Sequence, residues 1–177
     1  MLPSQFLTEQ LQLEHSKRQA LRLSQWIGQD LERLAALLEI FLGNDYRLSQ
    51  RAAWVLSTVS DRSPQLLELW VPQMVAKIHE PGVHDAVKRN VVRLFQEIEI
   101  PEEQLDELAD ACFGFLADPK AAVAIRIFSM SVLENICRKI PELNPEFRLL
   151  LEEHLPHGSA GFKNRGQKIL KRLQAGK

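Results

Sequence analysis

The chain has 177 residues, of which 45% are hydrophobic and 25% are charged. This balance is typical of a globular protein that can bury a sizeable core, and it argues against extended disorder. Lys and Arg number 22 against 23 Asp and Glu, so the formal net charge is −1. The overall charge therefore favours neither nucleic acid nor an anionic membrane as a partner. Any such preference must come from a local patch of charge.

The N-terminal stretch, residues 1–19, has neither an early basic cluster nor a continuous apolar run. It is typical of neither a signal peptide nor a membrane anchor. Cys112 and Cys137 lie in apolar segments, which favours two buried thiols in a reducing compartment over a disulfide. We therefore expect a cytoplasmic protein that does not contact a membrane.

The first predicted elements form an irregular helical pair over 8–43. One pattern then returns in four stretches, which align on Ser49, Lys88, Arg126 and Lys163 with steps of 39, 38 and 37 residues. Apolar or small residues follow each start at three, six, seven and ten positions, on one helix face. The columns at six and seven positions are Val55, Leu94, Val132 and Ile169, and Leu56, Phe95, Leu133 and Leu170. Each stretch is predicted to be an amphipathic first helix of a pair.

Second helices are predicted between these first helices, because two further apolar columns repeat with steps of 37, 38 and 39 residues. The columns are Leu37, Met74, Cys112 and Leu151, and Phe41, Ile78, Leu116 and Leu155. Turns within the pairs are predicted at Pro64, Pro101 and Pro141. Pro72 lies inside one second helix, where it is predicted to produce a kink.

The repeating unit is thus helix, turn, helix. Regular pairs are predicted at 44–82, 83–120 and 121–158, followed by a capping helix at 161–174. A single pair cannot bury its own apolar face, so neighbouring pairs must stack. The whole chain, 1–177, is therefore predicted to form one all-α domain.

This arrangement resembles the HEAT and armadillo-like α-solenoids over nearly the whole chain. QRAAWVL at 50–56, with VKRNVVRLF at 87–95 in the corresponding place, is similar to uncharacterised bacterial HEAT-repeat proteins. The resemblance implies an α-α superhelix of about four helical pairs plus a C-terminal capping helix. It also implies a binding scaffold with no defined active site.

Residues that suggest catalysis do not form a working motif. His79 and His84 in HEPGVH are five positions apart with Pro81-Gly82 between them, whereas a helical zinc-protease motif needs a spacing of four. Asp106 and Asp110 lie one helical turn apart, but we expect them on a solvated acidic face. No glycine-rich phosphate loop and no nucleophile elbow occurs. The sequence therefore predicts no enzyme, no cofactor and no metal site.

The candidate partner-binding residues lie on the first helices, away from the apolar columns, and in the C-terminal tail. They are Trp54, Arg89, Arg93, Lys163, Arg165, Lys168 and Lys171. Stacked repeats are predicted to bring most of them into a row that binds an acidic protein segment or nucleic-acid phosphate. The alternative is that Trp54 packs between helices and that the cations are only solvated.

We expect a non-enzymatic module that binds a protein or peptide on an extended solenoid surface. The competing hypothesis is a nucleic-acid-binding solenoid similar to the HEAT-like DNA alkylation-repair glycosylases, which implies a basic concave face around a carboxylate and aromatics. The second helices, which usually form that concave layer, instead carry acids such as Asp106 and Asp110. No catalytic residue is therefore transferred from those enzymes.

Overall fold

The structure is a computed structural model and describes residues 2–175. This part of the chain is helical throughout, with no strand, which confirms the predicted all-α fold of the HEAT-like α-solenoid class. The helices are α1 Pro3–Leu13, α2 Lys17–Ile27, α3 Leu31–Phe41, α4 Tyr46–Ser60, α5 Val71–His79, α6 Asp85–Leu94, α7 Glu102–Ala117, α8 Val123–Lys139, α9 Asn144–His154 and α10 Ala160–Gln174. Short 3-10 segments occupy Pro64–Trp70, Pro141–Leu143 and Leu155–His157.

The chain divides into two compact units between Pro101 and Glu102. The N-terminal unit contains α1 to α6, and the C-terminal unit contains α7 to α10. The division falls inside the predicted repeat 83–120, between its first helix and its second helix. The single-domain organisation over 1–177 stays a prediction, and its end residues Met1, Gly176 and Lys177 lie outside the described residues.

The segment predicted as an irregular pair over 8–43 contains α2, α3 and the C-terminal part of α1, which begins before the segment at Pro3. α2 begins at a cap in which Ser16 Oγ accepts a hydrogen bond from the Gln19 N–H at 3.1 Å, and it ends at Gly28, whose φ of +54° favours glycine. Leu7 and Leu11 are buried one turn apart on α1. The repeat pattern does not predict α1, because none of the aligned columns contains a residue of this helix.

The predicted kink at Pro72 is wrong. The second helix of repeat 44–82 is not continuous, because a 3-10 segment precedes α5 and Pro72 lies in the first turn of α5. An N–H group in the first turn of a helix has no acceptor within that helix. Proline at this position therefore removes no helical hydrogen bond and starts a helix without bending it.

The predicted apolar columns form the cores of the two units. The following members are at most 1% exposed: Leu56, Phe95, Leu133, Met74, Cys112 and Leu151. Their burial confirms the prediction of two repeating buried columns. The last copies, Leu155 and Leu170, are only half-buried, near the end of the described chain.

At two of the four aligned positions, the side chain binds the end of the preceding helix. Ser49 Oγ donates to the Phe41 carbonyl at 2.5 Å. Arg126, at the equivalent position, donates from Nε and Nη2 to the Leu116 carbonyl at 3.1 and 3.0 Å. The last carbonyls of a helix have no donor within it, and burying one without a partner costs about 1–3 kcal/mol. These contacts therefore fix α4 against α3 and α8 against α7.

We expect Leu133→Ala to lower the free energy of unfolding by about 2–5 kcal/mol, because it leaves a cavity at a side chain that is 0% exposed. The matched control is Leu149→Ala in the same unit, where the side chain is 67% exposed and the cost should stay within about 0.5 kcal/mol. Thermal unfolding followed by circular dichroism compares the two variants. Equal midpoints would contradict the role of Leu133 in the core.

Both cysteines are buried and unpaired. Burial raises the pKa of the Cys112 thiol to about 12. Burial, with a smaller effect of the Glu134 carboxylate, raises the pKa of Cys137 to about 11. In an unfolded chain the pKa of a thiol is about 8.5. Above that pH the unfolded state loses protons that the folded state keeps, so folding is disfavoured as pH rises.

We therefore expect each buried thiol to lower the free energy of unfolding by about 1.4 kcal/mol per pH unit above about pH 8.5, until its folded pKa is reached. Urea unfolding between about pH 8.5 and pH 10.5 measures this slope. The slope should be shallower in Cys112→Ala/Cys137→Ala, which carries neither thiol. The same slope in both proteins would show that the thiols do not produce it.

Candidate functional site

A surface pocket of about 450 Å³ lies in the N-terminal unit over α4. Its lining comes from α2, α4 and α6 and from the turn before α2. α2 and α6 both pack against α4. We call this cavity the α4 pocket.

The floor of the α4 pocket includes a strip of α4 that its neighbours leave partly uncovered. Most of the other α4 side chains are buried against other helices; the buried ones are Ser49, Ala52, Ala53, Val55, Leu56, Val59 and Ser60. The strip consists of Gln50, Trp54, Thr58 and Asp61, which all line the pocket. Their spacings of three and four residues place them on one helix face.

Trp54 is both packed and exposed. Its ring contacts the His15 ring edge-on, with centroids 4.9 Å apart and an interplanar angle of 72°, yet 39% of the residue remains exposed. From the sequence, Trp54 could either pack between helices or face a partner. In the structure one part of its side chain packs on His15 and another part is exposed. The exposed indole offers a large apolar surface together with an N–H donor.

Three cationic side chains surround Trp54 in the α4 pocket. Arg89 and Arg93 lie one turn apart on α6, and Lys17 lies on α2. Among the described residues that line the pocket, Asp61 is the only acid. No hydrogen bond or ion pair within residues 2–175 engages the three cationic groups. The pocket thus carries more positive than negative charge, and its cations have no internal partner.

Most other arginines in the protein already have a partner. Ten of them donate to a carboxylate, an amide, a hydroxyl or a backbone carbonyl: Arg18, Arg22, Arg33, Arg47, Arg51, Arg126, Arg138, Arg148, Arg165 and Arg172. Across the described residues the remaining arginines are Arg62, Arg89 and Arg93. Two of these three line the α4 pocket.

The other predicted partner-binding residues lie on α10 of the C-terminal unit. They are Lys163, Arg165, Lys168 and Lys171. Lys168 and Lys171 are exposed, and Lys163 is half-buried. The predicted row of cations therefore has members in both units, and the row itself stays a prediction.

Two arginines of α10 attach it to α8 instead of facing solvent freely. Arg165 donates to Ser131 Oγ at 2.7 Å. Arg172 makes two hydrogen bonds to the Glu134 carboxylate, which raise the pKa of its guanidinium. The basic tail is therefore less available to a partner than its sequence suggests.

Besides several small, polar and apolar lining residues, the sequence did not predict the titratable residues His15, Lys17 and Asp61 of the α4 pocket. His15 and Lys17 belong to the irregular N-terminal segment, which has no repeat equivalent, so no signal placed them beside Trp54. Asp61 was detectable, because it lies seven residues after Trp54 on the same helix face.

His84 of the HEPGVH motif has a structural role at the start of α6. His84 Nδ1 accepts a hydrogen bond from the Ala86 N–H at 3.1 Å and so caps α6. Its ring stacks on Tyr46 with centroids 4.4 Å apart. No group of three or more His, Cys, Asp or Glu within residues 2–175 is arranged to hold a metal ion. The acidic side chains of α7, including Asp106 and Asp110, are exposed.

In the part of the chain that the structure describes, every helix is too short or too polar to cross a bilayer.

The family model of the HEAT repeat domain matches residues 7–173, almost the whole chain. No curated protein and no solved structure matches the sequence.

Proposed function

Because the chain belongs to the HEAT repeat domain family, we propose that it is a non-enzymatic interaction module that binds a protein or peptide. Helical repeats of this kind present extended surfaces to their partners. In this proposal the α4 pocket is the principal contact surface, and the exposed lysines of α10 form a secondary one. The module works in the cytoplasm and uses no cofactor.

The observation that carries the proposal is an exposed tryptophan among cations that have no internal partner. Trp and Arg are the residue types that most often dominate the energy of protein interfaces. Arg89 and Arg93 can bind a partner without first breaking a hydrogen bond or ion pair inside the protein. Trp54 loses exposed apolar surface when a partner covers it, which favours binding.

Three features favour a protein partner over nucleic acid. The α4 pocket offers only three cations, so few phosphates can be neutralised at once. Asp61 lies in the same pocket, where it repels a nucleic acid that carries a phosphate at every residue, whereas a protein segment can place an uncharged residue beside it. The His15 ring packs against the Trp54 ring with centroids 4.9 Å apart, which leaves less of the indole open to a stacked base.

The test is capture of partners from native lysate by the tagged full chain, with and without nuclease treatment. We expect at least one captured protein to survive nuclease and to be lost from Arg89→Glu/Arg93→Glu, because reversed charges repel an acidic partner. The matched control is Arg62→Glu, which reverses an unpartnered arginine outside the α4 pocket and should leave capture unchanged. Lys168→Glu/Lys171→Glu measures the contribution of α10 separately.

Circular dichroism must show that each variant is folded. Loss of the captured material after nuclease treatment would favour the nucleic-acid alternative. Unchanged capture by a folded Arg89→Glu/Arg93→Glu variant would show that these arginines are only solvated.

A further inference from the structure

We infer that the α4 pocket recognises an extended peptide segment of the form acid, apolar residue, acid. This inference rests on the proposed function, because it specifies the partner of the same pocket. It follows from the spacing of the free arginines, the position of Trp54 and the acids that border the pocket.

The spacing of Arg89 and Arg93 suits two carboxylates in an extended chain. The two arginines are four residues apart on α6, which corresponds to about 6 Å along a helix. In an extended segment, residues two apart point to the same side and are separated by about 6.4–6.8 Å. Each carboxylate can then accept paired hydrogen bonds from one guanidinium.

The exposed ring of Trp54 can contact the peptide residue that lies between the two acids. That residue points to the side opposite its neighbours, away from α6. Trp54 lies on α4 and contacts His15, which precedes α2, so its ring faces this opposite side of the pocket. An apolar side chain there covers the exposed indole, and Lys17 on α2 remains available to the flanking segment.

The charges beyond Arg93 limit the length of the acidic segment. A smaller cavity of about 120 Å³ adjoins the α4 pocket and shares Arg93 and Asp61 with it, and Glu97 also lines this cavity. A long polyanion that continued past Arg93 would meet both carboxylates. The pocket therefore suits a short acidic motif better than a nucleic acid or a continuous acidic tail.

The test is a titration of the ¹⁵N-labelled full chain with ten-residue peptides, followed by NMR. The first peptide carries Glu-Leu-Glu between Ser and Gly residues. One control peptide has the same composition with the order Leu-Glu-Glu, and the other carries Gln-Leu-Gln. The indole N–H signal of Trp54, assigned with Trp54→Phe, reports on the pocket directly.

We expect the Glu-Leu-Glu peptide to shift the Trp54 signal and to bind at least about fivefold more tightly than either control. Arg89→Glu/Arg93→Glu should weaken this binding at least about tenfold, whereas Arg62→Glu should change it less than about twofold. Equal binding of the three peptides would overturn the inference, and so would the absence of any shift at the Trp54 indole. Tighter binding of a ten-nucleotide thymidine oligomer, lost in the double variant, would overturn it in favour of nucleic acid.

The two proposals fail in different ways. If Arg89→Glu/Arg93→Glu loses a captured protein but the peptides show no preference, the pocket binds a partner by other chemistry and only the inference fails. If the peptides bind selectively while capture is unaffected, the recognition chemistry stands and the proposed function fails.

Discussion

The packing of α4 on four other helices is the constraint from which the candidate site follows. α1, α2, α3 and α6 all contact α4, and small side chains such as Ala52 and Ala53 let these helices approach closely. Burial on so many sides leaves little of α4 in solvent, and one partly uncovered strip of it lines the α4 pocket. Trp54 lies on that strip, so the geometry of the core determines where the indole meets solvent.

Arginines have two roles in this protein, and their partners distinguish the roles. Arg126 binds the Leu116 carbonyl near the end of α7, and Arg172 binds Glu134 of α8, so these guanidiniums hold helices together. Arg89 and Arg93 have no partner in the described chain. A guanidinium that no internal group neutralises keeps its full capacity for an external carboxylate. This contrast between paired and unpaired arginines supports the α4 pocket as a binding site more strongly than the number of its cations does.

In two of the four aligned copies, side chains of different chemistry make the same structural contact. Ser49 and Arg126 occupy equivalent positions and bind equivalent carbonyls, although one is small and neutral and the other is long and charged. The common requirement is a donor for a buried carbonyl at a helix end. The two copies can therefore differ in residue type at this position and still hold the preceding helix in the same way.

The sequence by itself determined the all-α class, the helical period and the buried columns, because the spacing of apolar residues along a helix is a local property. It also placed Trp54, Arg89 and Arg93 on the outer face of their helices. Only the tertiary structure decided which charges are free: Arg165 and Arg172 bind residues of α8 that lie 34 and 38 positions earlier. Only tertiary packing brought Lys17 beside α4, since contacts between distant segments leave no periodic signal in the chain.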